Sequence, residues 1–180
     1  MQQLTKKALG ESLKKLLSLK TLDNITVIDV VEDCGVNRQT FYYHFQDIYA
    51  LLEWVFEVEA ENAIQNKITY ADWTKCMDEM FEYILSNKSF IANIYRSVGR
   101  ELLEKYLFEV ESHYIRFVID DFDKDNRIPE DDKIFLSKFI SYALVNLYLE
   151  WIKDNMKSDY KILINKTEKL LAGDFAKFLI

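Results

Sequence analysis

Glycine and proline are scarce, with 4 and 1 in 180 residues. Tight hairpins and left-handed turns draw on these residues, so their shortage disfavours a β-sandwich or barrel. Two cysteines, Cys34 and Cys76, are too few for a disulfide framework or a four-cysteine zinc site. No apolar run approaches the roughly 18 residues of a membrane span. Lys6, Lys7, Lys14 and Lys15 interrupt any signal-peptide core at the N-terminus. Gly-rich phosphate loops, nucleophile elbows and zinc signatures are all missing. The expectation is therefore a soluble, cytoplasmic, all-α protein that is not an enzyme and needs no cofactor or metal.

What is present fits that class. Hydrophobic residues make up 49% and charged residues 29%, a balance that opposes disorder. A chain of this length buries roughly 70% of its unfolded surface, so a core forms without staples. The net charge is −7, and it is unevenly placed. Through Asp47, six basic residues balance six acidic ones, and the remaining residues carry the whole excess. Net charge alone opposes nucleic-acid binding, so any such function must come from a locally suited surface.

Leu9, Leu13, Leu16 and Leu17 recur at helical spacing and predict a first helix over roughly residues 3–19. Thr26 is a good N-cap for a short helix over Val27 to Cys34, although the β-branched residues there also suit a strand. Gly35 supplies a turn, and Asn37 caps a second short helix holding Arg38 to Tyr43. Asp47 caps a longer one, about Ile48 to Ile64. Further helices are expected from Asp72 through Ile84, from Phe90 to Val98 and from Glu101 to about Asp121. After a polar connector ending at Pro129, two more follow at about Asp131 to Met156 and Asp159 to Phe178. The working count is nine helices.

The pair around Gly35 has helix-turn-helix spacing. Glycine sits where a left-handed backbone is cheap, and Val36 should fill the angle between the helices. Val30 and Phe41 are expected to pack inward, leaving Arg38, Gln39, Thr40 and Tyr43 outward. Such a helix fits a major groove roughly 12 Å wide, where Arg can read guanine and Gln can read adenine.

The run Thr26-Val27-Ile28-Asp29-Val30-Val31-Glu32-Asp33-Cys34-Gly35-Val36-Asn37-Arg38-Gln39-Thr40-Phe41-Tyr42-Tyr43-His44-Phe45 resembles the N-terminal signature of the TetR family of transcriptional regulators. Within it, Gly-Val-x-Arg-x-Thr-Phe-Tyr-x-His-Phe is the most family-specific phrase. The resemblance covers about residues 1–55. Arg38-Gln39-Thr40-Phe41-Tyr42, Phe45-Gln46 and the Leu51-Leu52-x-Trp54-x-Phe56 stretch are similar to regulators of dihydroxyacetone kinase operons. The resemblance implies a helix-turn-helix DNA-binding domain at 1–46 and a helical effector-binding and dimerisation domain at 47–180. It implies a homodimer on a pseudo-palindromic double-stranded DNA operator, with recognition helices in successive major grooves. Asn37, Arg38, Gln39 and Tyr43 would reach base edges, while Thr26, Thr40, Tyr42 and His44 would grip phosphates. Thr26 also opens a helix, whose free N–H groups suit an anion.

Two departures from the family pattern stand out. Val31 occupies a position where many members have a small Ala, and Ile48 one where many have Lys. Lys6, Lys7 and Lys20 are the available substitutes for that missing phosphate contact.

His44 fits phosphate contact better than plain packing, whereas Phe41 and Phe45 fit the core. Tyr42 and Tyr43 are consecutive and should not share a face, so at least one should be exposed. Cys34 and Cys76 read as small buried hydrophobes, and His113 as a packed histidine. Asp120-Asp121 and Asp131-Asp132 read as connector and cap residues, not an acid/base pair. A protein-interaction module that has lost DNA binding stays open, and an enzyme on a helical scaffold has no motif behind it.

The eighth helix is apolar around most of its girth, from Phe135 to Ile152, so it should bury a second face. In the family the last two helices pair with their copies. Phe139, Tyr142, Leu147, Trp151, Leu171, Phe175 and Phe178 suit that interface. The family's effector cavity would draw on Trp54, Tyr83, Tyr95, Tyr106 and Tyr114. Similarity to the kinase-operon regulators adds control by a partner protein in place of a small molecule, and activation in place of repression.

Overall fold

The structure, a computed structural model, describes residues 2–64 and 73–171. Among them it contains α1 (Gln2–Leu17), α2 (Val27–Cys34), α3 (Arg38–His44), α4 (Ile48–Ile64), α5 (Trp73–Ser86), α6 (Lys88–Tyr95), α7 (Arg100–Phe122), α8 (Glu130–Lys153) and α9 (Tyr160–Leu171). A short 3₁₀ turn at Leu22–Asn24 joins α1 to α2. No strand occurs among the described residues. The expected helix opening at Asp72 and the end of the last helix near Phe178 lie outside them. No described helix is long and apolar enough to cross a membrane.

Two compact units emerge. The first holds α1–α4, α6 and α7 up to Glu109; the second holds α5, α7 from Val110, α8 and α9. Within the first unit α4 packs on α1. Gly10 permits that approach: a Cβ there would meet the Trp54 ring at 3.1 Å and Val55 at 3.2 Å. Leu9, Leu13 and Leu17, four apart and therefore on one helical face, are fully buried with Val30, Phe41, Leu51 and Leu52. Each such side chain contributes about 1.5–3 kcal/mol by leaving water.

The second unit centres on Phe81, whose ring lies 4.9 Å from Tyr148, 5.0 Å from Trp151 and 4.9 Å from Tyr160. A buried polar pair sits beside it. Tyr148 donates its hydroxyl to Glu111 Oε2 at 3.0 Å, and both side chains are sealed from solvent. Burial pushes the Glu111 carboxyl up to about 7, against the lesser pull of the Tyr148 hydroxyl. Between α7 and α8, Lys133 pairs with Asp123 at 2.9 Å and Asp120 at 3.2 Å, and Asp123 also accepts the Arg127 and Ile128 N–H groups. The polar connector is thus a tied turn.

Helix α8 stops at Lys153, short of the expected Met156, because Asn155 and Met156 adopt positive φ of 57° and 56°. Its inner face (Ser141, Leu144, Val145, Tyr148 and Ile152) is buried, while Phe135, Phe139 and Tyr142 face solvent. Phe135 and Phe139 stack with ring centroids 6.0 Å apart.

Candidate nucleic-acid interface

Strand propensity around Val27–Val31 yields to capping. Thr26 Oγ1 accepts the Asp29 N–H at 3.2 Å, and Asp29 Oδ2 accepts the Thr26 N–H at 2.7 Å, which closes a reciprocal box. Gly35 ends α2 with φ 71° and ψ 28°, the left-handed region that glycine enters without strain. Asn37 then opens α3, its Oδ1 accepting the Thr40 N–H at 2.8 Å and the Thr40 hydroxyl at 3.0 Å. Ser12 Oγ donates to the Val30 carbonyl at 3.1 Å and ties α2 to α1.

Helix α3 is seated by Phe41, fully buried, and followed by Phe45, 6% exposed. With that side sealed, Arg38, Gln39, Tyr42 and Tyr43 are all exposed. Contrary to the expectation that consecutive tyrosines cannot share a face, Tyr42 and Tyr43 lie on one side, 58% and 70% exposed, because neighbours are only about 100° apart. At about 100° per residue, positions 38, 39, 42 and 43 fall within a sector of roughly 140°. His44 is half-buried and set edge-on to Tyr43, with ring centroids 5.0 Å apart.

Thr26, Asn37 and Thr40 hold their backbone-capping bonds within this surface. The Thr26 hydroxyl donates to Asp29 Oδ2 at 2.8 Å, so the start of α2 already faces a carboxylate. The backbone N–H of Thr26, then its hydroxyl, and then Lys20 hold that carboxyl below its ordinary range. Sequence reasoning passed over Asp29, although its place three residues after Thr26 is the capping-box spacing.

The cations around the motif divide into two groups. Lys14 pairs with Glu59 at 2.7 Å, Lys15 with Asp33 at 2.5 Å and Lys20 with Asp29 at 3.2 Å. Lys6, Lys7 and Arg38 have no carboxylate within 4.0 Å among the described residues. Ile48, at the start of α4, is only 9% exposed and turns inward.

The aromatic residues expected to line an effector cavity divide between the two units. Trp54, Tyr95 and Tyr106 belong to the first unit, Tyr83 and Tyr114 to the second. Tyr106 stacks on Phe56 at 4.8 Å, and Tyr95 lies under the Arg100 guanidinium at 4.7 Å. Trp54 packs on Phe45 at 5.7 Å. Tyr114 is 4% exposed, and Tyr83 is half-buried. A mostly apolar cavity of about 410 Å³ lies in the second unit, lined by Ile115, Ile119, Phe122, Leu136, Ile140 and Leu171 together with Glu168. The pattern of tyrosines carried no signal for it.

The residues expected at a dimer interface divide likewise. Phe139, Tyr142 and Leu171 are exposed, and Leu147 is half-buried. Trp151 belongs to the core instead: it is 3% exposed, and its indole Nε1 donates to the Ser158 carbonyl at 2.8 Å. Periodicity marks an apolar face but not what covers it. Phe175 and Phe178 lie outside the described residues. No group of three or more His, Cys, Asp or Glu side chains is placed to hold a metal among the described residues.

Known proteins share this fold. Residues 11–55 match the family described as "Bacterial regulatory proteins, tetR family", and residues 71–173 match "Transcriptional regulator C-terminal region". The HTH-type dhaKLM operon transcriptional activator DhaS of Lactococcus lactis subsp. lactis (strain IL1403) is 23% identical over 165 residues, spanning 90% of this chain and 88% of the relative. A solved structure described as "Dihydroxyacetone kinase operon activator DhaS" has the same fold. Its TM-score is 0.72 at 23% identity, over 94% of this chain and 95% of that one. With its helix-turn-helix and its helical body each matched, the chain belongs to the TetR family of bacterial transcriptional regulators.

Proposed function

We propose that the chain is a sequence-specific DNA-binding regulator acting as a homodimer on a pseudo-palindromic operator. The observation that carries this is the outward set Arg38, Gln39, Tyr42 and Tyr43 on a helix whose other side is sealed by Phe41. Arg38 and Gln39 read base edges, with Asn37 and Tyr43 flanking them. Tyr42, His44, Thr26 and Thr40 lie against phosphates and set register. The DNA-binding part is assigned to 1–46 and the effector and dimer part to 47–180. Phe139 and Tyr142, exposed on α8 beside Phe135, form the centre of the contact between copies, and Leu147, Leu171, Phe175 and Phe178 extend it.

Control acts through spacing. Two recognition helices must enter grooves roughly 34 Å apart, so a small tilt of α4 costs several contacts at once. Phe45 packs on Trp54, which gives such a tilt a direct route to the end of α3. The effector binds the C-terminal part, and the 410 Å³ cavity suits a largely apolar molecule. A second reading puts a partner protein in that role, which Phe122, 63% exposed and lining the same cavity, favours. Activation of a kinase operon, the role named for the Lactococcus relative, is the form of regulation we assign.

The test is selection of duplexes from a random pool by the full chain. Two-fold symmetric winners, retained in a salt-sensitive way, are the expected result. Recovery of no preferred duplex would leave a protein-interaction module as the better account.

A further inference from the structure

Lys6 is held differently from the other α1 cations. Its ammonium lies 5.3 Å from the Phe45 ring centroid and 5.8 Å from the Trp54 ring centroid. Phe45 closes α3, its N–H donating to the Phe41 carbonyl at 2.9 Å, and directly follows His44. Trp54 lies on α4, and the two rings pack at 5.7 Å. The charge is thus suspended where α1, the end of α3 and α4 converge. An aromatic face attracts an ammonium through its quadrupole without using up its N–H donors. Lys14, Lys15 and Lys20 instead spend their charge on Glu59, Asp33 and Asp29.

The start of α4 is poor in positive charge. Asp47 caps it, accepting the Ala50 N–H at 2.8 Å, and the Ile48 side chain is packed inward. A duplex lying along α3 would pass the end of that helix, where His44 is half-buried. Resting on the DNA-binding reading above, we propose that Lys6 is a backbone-phosphate contact, supplying from α1 the cation that α4 lacks. Phe45 and Trp54 are its positioning residues: they pre-orient a side chain that would otherwise lose much rotamer freedom on binding. Lys7, exposed and without such a seat, contributes only to the diffuse field.

A phosphate contact leaves a signature that packing does not. The full chain and its K6Q, K6M and K6R variants are titrated by fluorescence anisotropy, with the selected duplex and a scrambled one, across roughly 50–200 mM KCl. K6Q and K6M should flatten the slope of log K against log salt by about 0.9 per bound copy. Their loss of affinity should be equal on both duplexes, and K6R should restore the slope. Arg38→Ala, run alongside, should lose discrimination between the duplexes. A wild-type slope in K6Q and K6M overturns the proposal, and if their thermal midpoint has fallen, Lys6 is a packing residue. A loss confined to the selected duplex overturns it too, by making Lys6 a base reader. If the wild-type chain retains neither duplex, the DNA-binding reading itself has failed; if it retains them with Lys6 silent, only this inference has.

Discussion

Glu111→Gln should remove a pH dependence from the stability of the protein. The Glu111 side chain is sealed in the second unit, accepts the Tyr148 hydroxyl and is pushed by burial up to about 7 from an ordinary 4.5. Between those values the folded chain keeps a proton that the unfolded chain releases. Stability therefore falls as pH rises from about 4.5 to 7, and the loss is complete above that window. A displacement of this size corresponds to about 3 kcal/mol at 1.36 kcal/mol per pH unit. For a chain of this length that amounts to roughly 6–12 °C in thermal midpoint. Glutamine keeps an oxygen to accept from Tyr148 and cannot ionise, so the variant lacks this slope. The assay compares urea midpoints of wild type and variant at pH 5 and pH 8. Asp29, Asp33, Asp120, Asp123 and Glu130 are all held below their ordinary range, so their stabilisation is lost on the acid side and cancels in the comparison. The variant should gain on wild type at pH 8 relative to pH 5. A difference that stays constant over that range would mean Glu111 is already ionised in the folded chain, and the reasoning would fail.

Arg38→Ala should cost about 1–3 kcal/mol on the selected duplex and relax preference at one position, while equal losses on every duplex would reassign Arg38 to a phosphate. Gly35→Val should destabilise by roughly 1–2 kcal/mol, since a side chain must then enter the left-handed region; Gly35→Asn should cost clearly less, and equal denaturant midpoints for the two would refute the backbone argument. Thr26→Ala should lose about 1 kcal/mol with its cap, and Thr26→Ser should keep most of it. Lys133→Met should lower the unfolding midpoint by stranding Asp123, and adding Asp123→Asn should recover part of the loss; if the double variant unfolds earlier than the single one, the two side chains are not coupled in this way.

Legibility in this chain tracks sequence distance. Thr26, Gly35 and Asn37 each act on backbone within a few residues, so cap, hinge and second cap could be read directly, and Phe41 followed from them. Contacts that join distant residues could not be. Glu111 meets Tyr148 across 37 positions, and Lys6 reaches Phe45 and Trp54 from another helix. Nothing in helical periodicity marks such meetings, because the period says which side of a helix is apolar and stops there. Trp151 makes the point sharply. It lies on an apolar side of α8, as Phe139 does, yet it closes over Phe81 and Tyr160 while Phe139 stays in solvent. Apolar girth thus marks α8 as having two apolar sides without saying which residue lies on which. Both sides want cover, and the fold supplies it on one. In the proposed homodimer, a second copy matches the chemistry of the uncovered side, Phe135 and Phe139 stacked with Tyr142 exposed one turn on. The three aromatic rings together then outweigh any single residue that periodicity could have nominated.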